Sequence, residues 1–378
     1  MGHDGVMPAN FETLSDARAW YEAWLREAAL PLWAGAGVDP LGGLFQETLS
    51  VEGAPVEAPR RARAQARQVF VFASAATGGY GAQWLATARE GWARFVAAYR
   101  RPDGLFINRA AGDGTPLDAE ADIYEQAFVL LAVAALQAAD PGAEDFAGQA
   151  ERILAALDAR RAPAGGFREN GPHPYQANCH MHLFESALAW EAAGGPRWAA
   201  LSDEIAGLAM TRFIDPQSGA LREFFDADWI ALSGEGGLVE PGHQFEWAWL
   251  LERWGRSRGD AKALAAARRL FANGLKGVDP VRGVAVNALW DDFSVRDGAA
   301  RLWPQTEHLK AALVLGDEAQ ALTAARGLAQ YLDVPARGAW RDKLRADGRF
   351  VDEPAPATSF YHLMVAILEL TAQGRSAA

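Results

Sequence analysis

The sequence predicts an all-α protein in which twelve helices form a closed (α/α)6 barrel, with six inner and six outer helices. The first observation is an internal repeat, a helix–turn–helix unit of roughly 60 residues that recurs along the 378-residue chain. The second is that each unit has a turn in which a glycine is followed by apolar and then polar residues. The third is that the second helix of each unit is apolar on most faces, as burial in an inner ring requires.

The first helix of each repeat is expected to lie in the outer ring. In residues 15–29, Trp20, Trp24 and Ala28 recur at four-residue spacing, which indicates a helix with one buried face, and Ser15 is expected to be its N-cap. The other outer helices are expected at residues 82–100, 143–158, 196–213, 260–276 and 316–332. Each outer helix leads into a glycine turn with a short hairpin-like extended piece, at residues 39–47, 103–108, 165–169, 219–224, 283–287 and 338–342.

The second helix of each repeat is expected to lie in the inner ring. These helices are expected at residues 59–77, 119–137, 176–193, 241–257, 300–314 and 357–372. They also carry the unusual polar residues of the chain, which a closed ring would bring toward its axis. Because no Pro/Ser-rich linker or charge run interrupts the repeats, residues 1–378 are expected to form a single catalytic domain.

The composition indicates a soluble protein that binds neither nucleic acid nor membranes. The net charge is −12, which is unfavourable for polyanionic partners. The single cysteine, Cys179, permits no internal disulfide. Residues 1–10 have neither the basic nor the apolar segment of a signal peptide, and no apolar run is long enough to cross a membrane. A cytoplasmic location is expected, and the oligomeric state is left open between monomer and homodimer.

Arginines mark the first inner helix. Arg60, Arg63 and Arg67 recur at helical spacing on one face. Arg67 leads directly into an apolar segment at residues 69–73, so it is expected to reach a pocket and face an anionic or oxyanionic group. Arg60 and Arg61 are instead expected to lie on the solvated surface.

Two histidines lie close together on the third inner helix. His180 and His182 point roughly 200° apart on a helix, so they cannot bind one metal ion together. His182 shares a face with Asn178 and Glu185, and it is therefore expected to be the inward-facing histidine. Because no metal-binding sequence motif occurs elsewhere in the chain, neither a metal nor a cofactor is expected.

The inner helix at residues 241–257 begins with a Pro-Gly break followed at once by a histidine. Pro241 suits the first helical turn, and His243 and Glu246 are three residues apart, so they share a face. On this helix alone, two interpretations are open. The pair is either a structural histidine satisfied by a glutamate, or an acid–base group with its orienting partner.

Two later inner helices also begin with residues suited to a binding site. Trp303 precedes a proline and is expected at the rim, where its ring can stack on a ligand. Glu307 lies one turn further in, whereas His308 is expected at the surface beside Lys310. His362 stands at the start of the last inner helix.

A closed ring would bring three of these histidines, His182, His243 and His362, toward one axis. Histidine titrates near neutral pH, so such a set suits proton transfer. Removing a proton next to a carbonyl group also needs a cation or hydrogen-bond donor for the enolate oxygen that develops, and Arg67 would supply it.

Five motifs give the chain a family resemblance, at residues 63–70, 178–185, 241–247, 301–307 and 361–362. In this order, and over nearly the whole chain, they resemble the N-acylglucosamine 2-epimerase superfamily. The Pro-Gly-His-x-x-Glu-Trp motif at 241–247 and the Trp-Pro-Gln-x-Glu motif at 303–307 are the most specific. The resemblance implies an (α/α)6 barrel and a cofactor-independent sugar isomerase or epimerase.

The resemblance also implies roles for individual residues. His243 and His362 would move a proton between C1 and C2 of the sugar through an enediol, although which is acid and which is base stays open. Arg67 would stabilise the enediolate oxygen, and His182 would assist ring opening or act as a further acid–base group. The residues implied to orient these groups or to contact the sugar are Asn178, Glu246, Trp303, Glu307 and Arg63.

The substrate branch rests on the end of the chain. Cellobiose epimerases have a tryptophan shortly before the last histidine, but this chain has Ser359, Phe360 and Tyr361 there, which weakens a disaccharide substrate. The ending instead resembles bacterial members labelled mannose or mannose-6-phosphate isomerase-like. We expect a mannose-type aldose to be converted to a fructose-type ketose. A phosphate on the sugar stays open, because Arg60 and Arg63 could bind one but no phosphate-cradling glycine loop is evident.

Three alternatives to an aldose–ketose isomerase remain. A sugar 2-epimerase would use the same chemistry. A glycoside hydrolase would need two carboxylates across the sugar, and five carboxylates are available. They are Asp122, Glu125, Glu185, Glu246 and Glu307. A non-catalytic sugar-binding protein would not need three inward histidines.

Overall fold

The computed structural model of the chain describes residues 11–232 and 237–376, with side chains to residue 372. Residues 1–10, on which the expectation about a signal peptide rests, lie outside the described residues. Within the described part, no helix combines the length and apolarity needed to cross a membrane.

Helices dominate the described chain, and they alternate between an outer and an inner position. The outer helices are α1 (Leu14–Trp24) with α2 (Leu30–Gly35), α4 (Trp84–Tyr99), α6 (Phe146–Leu157), α8 (Pro196–Leu208), α10 (Ala261–Leu275) and α12 (Glu318–Ala329). The inner helices are α3 (Ala62–Thr77), α5 (Ile123–Ala139), α7 (Ala177–Ala193), α9 (Pro241–Arg258), α11 (Leu302–Leu315) and α13 (Thr358–Ser376).

The inner helices form a closed ring. Each contacts the next in chain order, and α13 returns to contact α3. Each inner helix from α3 to α11 also packs against the outer helix that follows it in the chain, and α13 packs against α1. The predicted (α/α)6 barrel is therefore confirmed. The ring explains the apolar composition of the inner helices, because they are covered by neighbours on both sides and by outer helices behind.

The first outer helix and the starts of two inner helices differ from the sequence expectations. The N-cap of the first helix is Thr13 rather than Ser15, because Thr13 and Asp16 form a reciprocal capping box. The first outer helix is also interrupted by a π-helical turn, Leu25–Ala29. The first and second inner helices begin at Ala62 and Ile123, later than residues 59 and 119, because the residues before them are extended.

Short strands connect the helices at the end of the barrel where the inner helices begin. They are β1 (Thr48–Leu49), β2 (Pro55–Val56), β3 (Arg60–Arg61), β4 (Arg109–Ala110), β5 (Pro116–Asp118), β6 (Tyr175–Gln176), β7 (Phe224–Phe225), β8 (Val278–Asp279), β9 (Val284–Ala285), β10 (Ala288–Leu289), β11 (Val295–Asp297), β12 (Ala300–Arg301), β13 (Lys343–Leu344) and β14 (Ala355–Pro356). All the pairings between these strands are antiparallel, and β14 pairs with β1, which ties the two ends of the barrel sequence together.

In most inner helices, the side chain of the fourth residue hydrogen-bonds to the backbone of the glycine turn that comes before the helix. Gln65 of α3 accepts from the backbone N–H of Phe45 and donates to its carbonyl oxygen, both at 2.8 Å. Gln126, Gln244 and Gln305 make the same two bonds to Phe106, Leu221 and Ala285. His180 takes this position in α7, where its Nε2 accepts from the N–H of Phe167 at 2.9 Å. This clamp sets which residues of each inner helix face the axis.

Candidate active site

A cavity of about 730 Å³ opens at the end of the barrel where the inner helices begin. Its walls come from those helices and from the loops and strands before them. The lining residues are Thr48, Arg61, Arg63, Arg67, Tyr124, Gln176, Asn178, His182, Glu240, His243, Glu246, Arg301, Trp303, Asp342, Lys343, Glu353, Pro354, Pro356, Thr358, Ser359 and His362. Eight of the nine residues proposed from the sequence are among them, and Glu307 is the exception.

Helical periodicity explains how the inner helices supply this lining. With the fourth residue clamped to a turn, the second and sixth residues lie one helical turn apart on the face toward the axis. In α3 these are Arg63 and Arg67, and in α7 they are Asn178 and His182. His180 lies on another face of α7, so the choice of His182 as the inward histidine agrees with the structure.

His243 is paired with a carboxylate that the sequence analysis did not assign. Its Nδ1 lies 3.0 Å from both oxygens of Glu223, which stands directly before β7. The expected pairing of His243 with Glu246 is therefore wrong. Burial alone would lower the pKa of His243, but the carboxylates of Glu223 and Glu240 outweigh it and raise that pKa to about 10. His243 is an imidazolium at neutral pH.

His362 is also paired with a carboxylate, but unlike His243 it is neutral. Its Nδ1 lies 2.9 Å from Oε1 of Glu307. Burial, together with the charges of Arg67 and Lys310, holds the pKa of His362 well below 6.5, so the ring is neutral at neutral pH. Glu307 is fully buried behind His362 and does not line the cavity, so the structure corrects its expected position as a sugar-contacting residue.

Trp303 packs against both histidines. Its ring centroid is 5.1 Å from that of His243 and 5.8 Å from that of His362. A Cβ added at Gly242 would lie 2.4 Å from the Trp303 ring, so the indole lies against the bare backbone of α9. The tryptophan expected at the rim therefore forms part of the cavity wall, and its ring packs against both imidazoles.

Arg67 is a cation without a carboxylate partner within ion-pair distance among the described residues. Its Nη1 donates to the carbonyl oxygen of Thr358 at 3.1 Å, and its Nη2 donates to the hydroxyl of Tyr124 at 3.2 Å. The guanidinium also lies over the ring of Phe128, 3.9 Å from its centroid. These contacts hold the guanidinium in place and leave its charge uncompensated by any direct ion pair, which suits stabilisation of a developing oxyanion.

His182 and Glu246 form the floor of the cavity. Nδ1 of His182 lies 3.6 Å from Glu185 and 3.8 Å from Glu246, and burial lowers the pKa of His182 to about 4. Neither carboxyl oxygen of Glu246 has a hydrogen-bond partner among the described residues. Burial and the nearby Glu307 raise the pKa of Glu246 well above its usual range, which favours the protonated carboxyl group. Such a group can donate a hydrogen bond to a ligand.

The basic residues at the mouth of the cavity are all paired. Arg61 contacts Glu47, Arg63 contacts Glu125, Arg301 lies 3.5 Å from Glu240, and Lys343 lies 2.8 Å from Glu353. The mouth is therefore close to neutral and offers no free cation cluster in the described chain.

Three basic side chains that were expected at the surface are buried. Arg60 is 1% exposed, because Asp39 and the carbonyl oxygen of Gly112 accept its hydrogen bonds at 2.7 and 3.0 Å. His308 and Lys310 are each 0% exposed. His308 packs flat against Phe245 and its Nε2 lies 3.2 Å from Gln320. Arg60 and His308 are buried by partners that are distant in the chain, and Lys310 is buried against both Glu307 of its own helix and Trp249 of α9.

Among the described residues, two side-chain clusters at the inner end of the cavity could hold a divalent metal by position. They are His182 with Glu185 and Glu246, and Glu246 with Glu307 and His362, with ligand atoms within 4.8 Å of one another. The ammonium of Lys310 lies 2.6 Å from Oε2 of Glu307 and so already balances this carboxylate. The expectation of a metal-free site stays a prediction.

The family profile and the sequence relatives of this (α/α)6 barrel define its class, a carbohydrate isomerase or epimerase. The chain belongs to the N-acylglucosamine 2-epimerase (GlcNAc 2-epimerase) family, whose sequence profile matches residues 43–366.

Three known proteins illustrate the relationship. The chain is 51% identical to the mannose-6-phosphate isomerase of Rhizobium meliloti (strain 1021), over 92% of this chain and 95% of that protein. It is 32% identical to the D-mannose isomerase of Thermobifida fusca, over 80% of each. The solved structure of cellobiose 2-epimerase from Spirochaeta thermophila DSM 6192 superimposes with a TM-score of 0.86 at 23% identity, covering 96% of this chain and 98% of that chain, which supports the fold alone.

Proposed function

We propose that the chain is an aldose–ketose isomerase that interconverts a mannose-type monosaccharide and a fructose-type ketose, with no cofactor and within one catalytic domain. The observation that carries the proposal is the pair of histidines in one cavity, one neutral and one cationic, both packed against Trp303. Two groups with opposite protonation states at one pH are what acid–base catalysis of an enolisation requires. The names of the two sequence relatives, a mannose-6-phosphate isomerase and a D-mannose isomerase, support a mannose-type sugar and leave its phosphorylation open.

The first step is removal of the proton on C2 of the open-chain aldose. His362 donates Nδ1–H to Glu307, which leaves Nε2 as the lone-pair nitrogen available to a substrate. As Nε2 takes the proton, the C–H electrons form the C1=C2 double bond and negative charge moves to O1. Arg67 stabilises that oxygen, and a proton completes the enediol.

The second step returns a proton to C1. His243, held as an imidazolium by Glu223, is the group that gives its proton to O1 in the first step. In the second step the protonated Nε2 of His362 returns its proton to C1, the C2=O2 double bond forms, and the O2 proton passes to His243, so both histidines regain their starting states. Protonation at C2 from the opposite face would instead give the 2-epimer, so the product depends on which carbon the acid reaches.

The walls favour a single sugar. Phe360 and Tyr361, which precede His362, are fully buried, and they do not line the cavity. The hydroxyl of Tyr361 donates to Glu185, and its ring lies beneath the Arg67 guanidinium. Among the described residues, this segment therefore provides no stacking platform for a second sugar ring.

The paired mouth favours an unphosphorylated sugar. A phosphate carries close to two negative charges and is recognised by free arginine or lysine donors. Here Arg61, Arg63, Arg301 and Lys343 each face a carboxylate. A phosphate would have to displace those carboxylates, and Arg60 is committed to Asp39 outside the cavity.

Incubation with mannose in heavy water tests the reaction. An isomerase forms fructose and exchanges deuterium into the product, a 2-epimerase forms glucose, and a hydrolase or a binding protein does neither. Parallel assays with mannose and mannose 6-phosphate test the charge argument, and a higher kcat/KM for the phosphate ester would contradict it.

Three histidine variants test the assignment of residues. His243→Ala and His362→Ala are each expected to lower kcat about 10²–10⁴-fold, the usual contribution of an acid–base group. His180→Gln is the matched control, because glutamine occupies the equivalent clamp position in α3, α5, α9 and α11. The control should keep its activity. Full activity in both alanine variants would refute the proton-transfer assignment.

A further inference from the structure

A lysine lies on the barrel axis below the candidate active site. Lys310, in the third turn of α11, is 0% exposed and does not line the cavity. No step of the proposed reaction uses it. A buried ammonium is unfavourable unless charged or polar partners surround it, so its position calls for an explanation in terms of those partners.

The partners of Lys310 are acidic and aromatic. Its Nζ lies 2.6 Å from Oε2 of Glu307 and 4.0 Å from the ring centroid of Trp249. Burial would lower the pKa of Lys310, but Glu307, Glu246 and Glu185 outweigh it and raise the pKa above its usual range. Lys310 is therefore a permanent positive charge inside the ring of helices.

The carboxylate of Glu307 connects this charge to the cavity. While Oε2 faces the ammonium of Lys310, Oε1 lies 2.9 Å from Nδ1 of His362. Lys310 and Glu307 are three residues apart on α11, whereas His362 comes from α13, so the contact crosses a helix–helix interface. The three side chains therefore form a chain of contacts from the ammonium of Lys310, through the carboxylate of Glu307, to the neutral ring of His362 in the cavity.

The charged groups around His362 come from every neighbouring inner helix. Arg67 of α3 and Lys310 of α11 oppose its protonation, as does His182 of α7, and Glu185 of α7 favours it. On α9, a carboxyl oxygen of Glu246 lies within 4.8 Å of a carboxyl oxygen of Glu307 and of a ring nitrogen of His362. On α13 itself, Tyr361 places its hydroxyl on Glu185. In this set Glu307 is the one group in hydrogen-bond contact with the His362 ring.

We propose that Lys310 is a positioning residue of the isomerisation, which keeps Glu307 ionised so that Glu307 accepts Nδ1–H of His362 and Nε2 stays free of a proton. The inference rests on the proposed function, because it concerns His362 as the base. Lys310 acts through Glu307 and does not touch the substrate.

Removal of the charge has a definite consequence. With Lys310 replaced by a neutral residue, the Glu307–His362 pair would carry a net negative charge in a buried place. The pair would then bind one extra proton near neutral pH, on either partner, because burial disfavours the uncompensated charge. The catalytically competent form, with neutral His362 beside ionised Glu307, would return at higher pH.

The first test is the pH dependence of kcat/KM in Lys310→Met. The acidic limb is expected to move up by about one pH unit or more, the size of shift that nearby charges cause. Activity at pH 7 falls and is largely recovered near pH 9, with little change in KM. Lys310→Gln, which can still donate to Glu307 but has no charge, should show the same shift. Lys262→Met at the exposed start of α10 is the control and should leave the profile unchanged.

A charge-neutral double variant separates positioning from packing. In Glu307→Gln with Lys310→Met, the amide oxygen can still accept Nδ1–H of His362, and no charge is left unpaired. The acidic limb should return to its wild-type position. If the limb stays at the wild-type pH in both single variants, or stays shifted in the double variant, the proposal is wrong.

Stability provides a readout that does not need turnover. In Lys310→Met the extra proton is bound more tightly in the folded than in the unfolded chain, so its stabilising effect is present at low pH and lost as pH rises. The difference in Tm from the wild type should widen between pH 6 and pH 9, and a constant difference would contradict the charge pairing. If the wild type converts no aldose, the proposed function fails by itself, and the Tm series still decides the pairing of Lys310 with Glu307.

Discussion

Glu223 holds both of its carboxylate oxygens 3.0 Å from Nδ1 of His243, although twenty residues separate them in the chain. Glu223 stands directly before β7, which pairs with β6 at the start of α7, and His243 lies in the first turn of α9. A residue of the preceding glycine turn therefore keeps the proposed acid, His243, protonated. His362 is likewise paired with a carboxylate from elsewhere in the ring, that of Glu307 on the preceding inner helix, although His362 stays neutral.

The first prediction concerns this carboxylate. Glu223→Gln keeps an oxygen that can accept Nδ1–H but removes the charge, so the pKa of His243 should fall from about 10 toward its ordinary value. We expect kcat at pH 7.5 to fall about 10²-fold, within the usual range for loss of an acid–base group. The alkaline limb of the kcat/KM profile should move to lower pH. Glu318→Gln, an exposed glutamate in the first turn of α12, is the control. An unshifted alkaline limb would contradict the role of Glu223.

Local patterns were enough to predict the fold and most of the cavity. The internal repeat and the apolar inner helices predicted the closed ring, and helical spacing placed Arg67, His182, His243 and His362 in its cavity. These features depend on one helix at a time, which is why single-sequence periodicity captures them.

The partners of these residues could not be predicted in the same way. Glu223 reaches His243 only because Gln244 clamps α9 to the turn that contains Leu221. The signal was present as a glutamine at the fourth position of four inner helices, and aligning the repeats on it would have placed Glu223 beside α9. The burial of Arg60 was missed for a related reason, since Asp39 decides it through a tertiary contact. Lys310 has Glu307 one turn away on the same helix, but its burial also depends on a tertiary contact with Trp249 of α9.

The second prediction concerns stability in acid. His180, His182 and His308 have pKa values lowered to about 4, chiefly by burial, whereas the unfolded chain binds protons near 6.5. The contribution of these histidines to the free energy of unfolding is therefore fully present above pH 6.5. It is lost as pH falls toward 4, because the unfolded state then binds more protons. Tm measured between pH 7 and pH 4 should fall steadily. In His180→Gln the fall should be smaller, and an equal fall would show that His180 does not contribute.

The third prediction concerns metals. The ammonium of Lys310 already balances Glu307, and burial favours the protonated form of Glu246, so neither three-residue cluster is expected to present a full set of anionic ligands. Dialysis against a chelator should leave kcat and KM for mannose unchanged within error. Addition of Mg²⁺, Mn²⁺ or Zn²⁺ to the dialysed protein should not increase kcat. A loss of activity that one of these ions restores would overturn the prediction and point to the His182 or His362 cluster.

The fourth prediction concerns the wall between the histidines. A methyl group at Gly242 would lie 2.4 Å from the Trp303 ring and 3.1 Å from Pro304, so Gly242→Ala must displace the indole or shift α11. Overpacking of this kind costs about 1–3 kcal/mol, and displacement of Trp303 should misplace both His243 and His362. We therefore expect a lower Tm and a fall in kcat larger than the change in KM.

Gly207→Ala in α8 is the matched control, because nothing lies within 4 Å of its added Cβ. It should raise stability by about 0.5–1 kcal/mol and leave kcat unchanged, since alanine is the better helix former. Equal behaviour of the two variants would mean that the contact between Gly242 and Trp303 does not position the catalytic histidines.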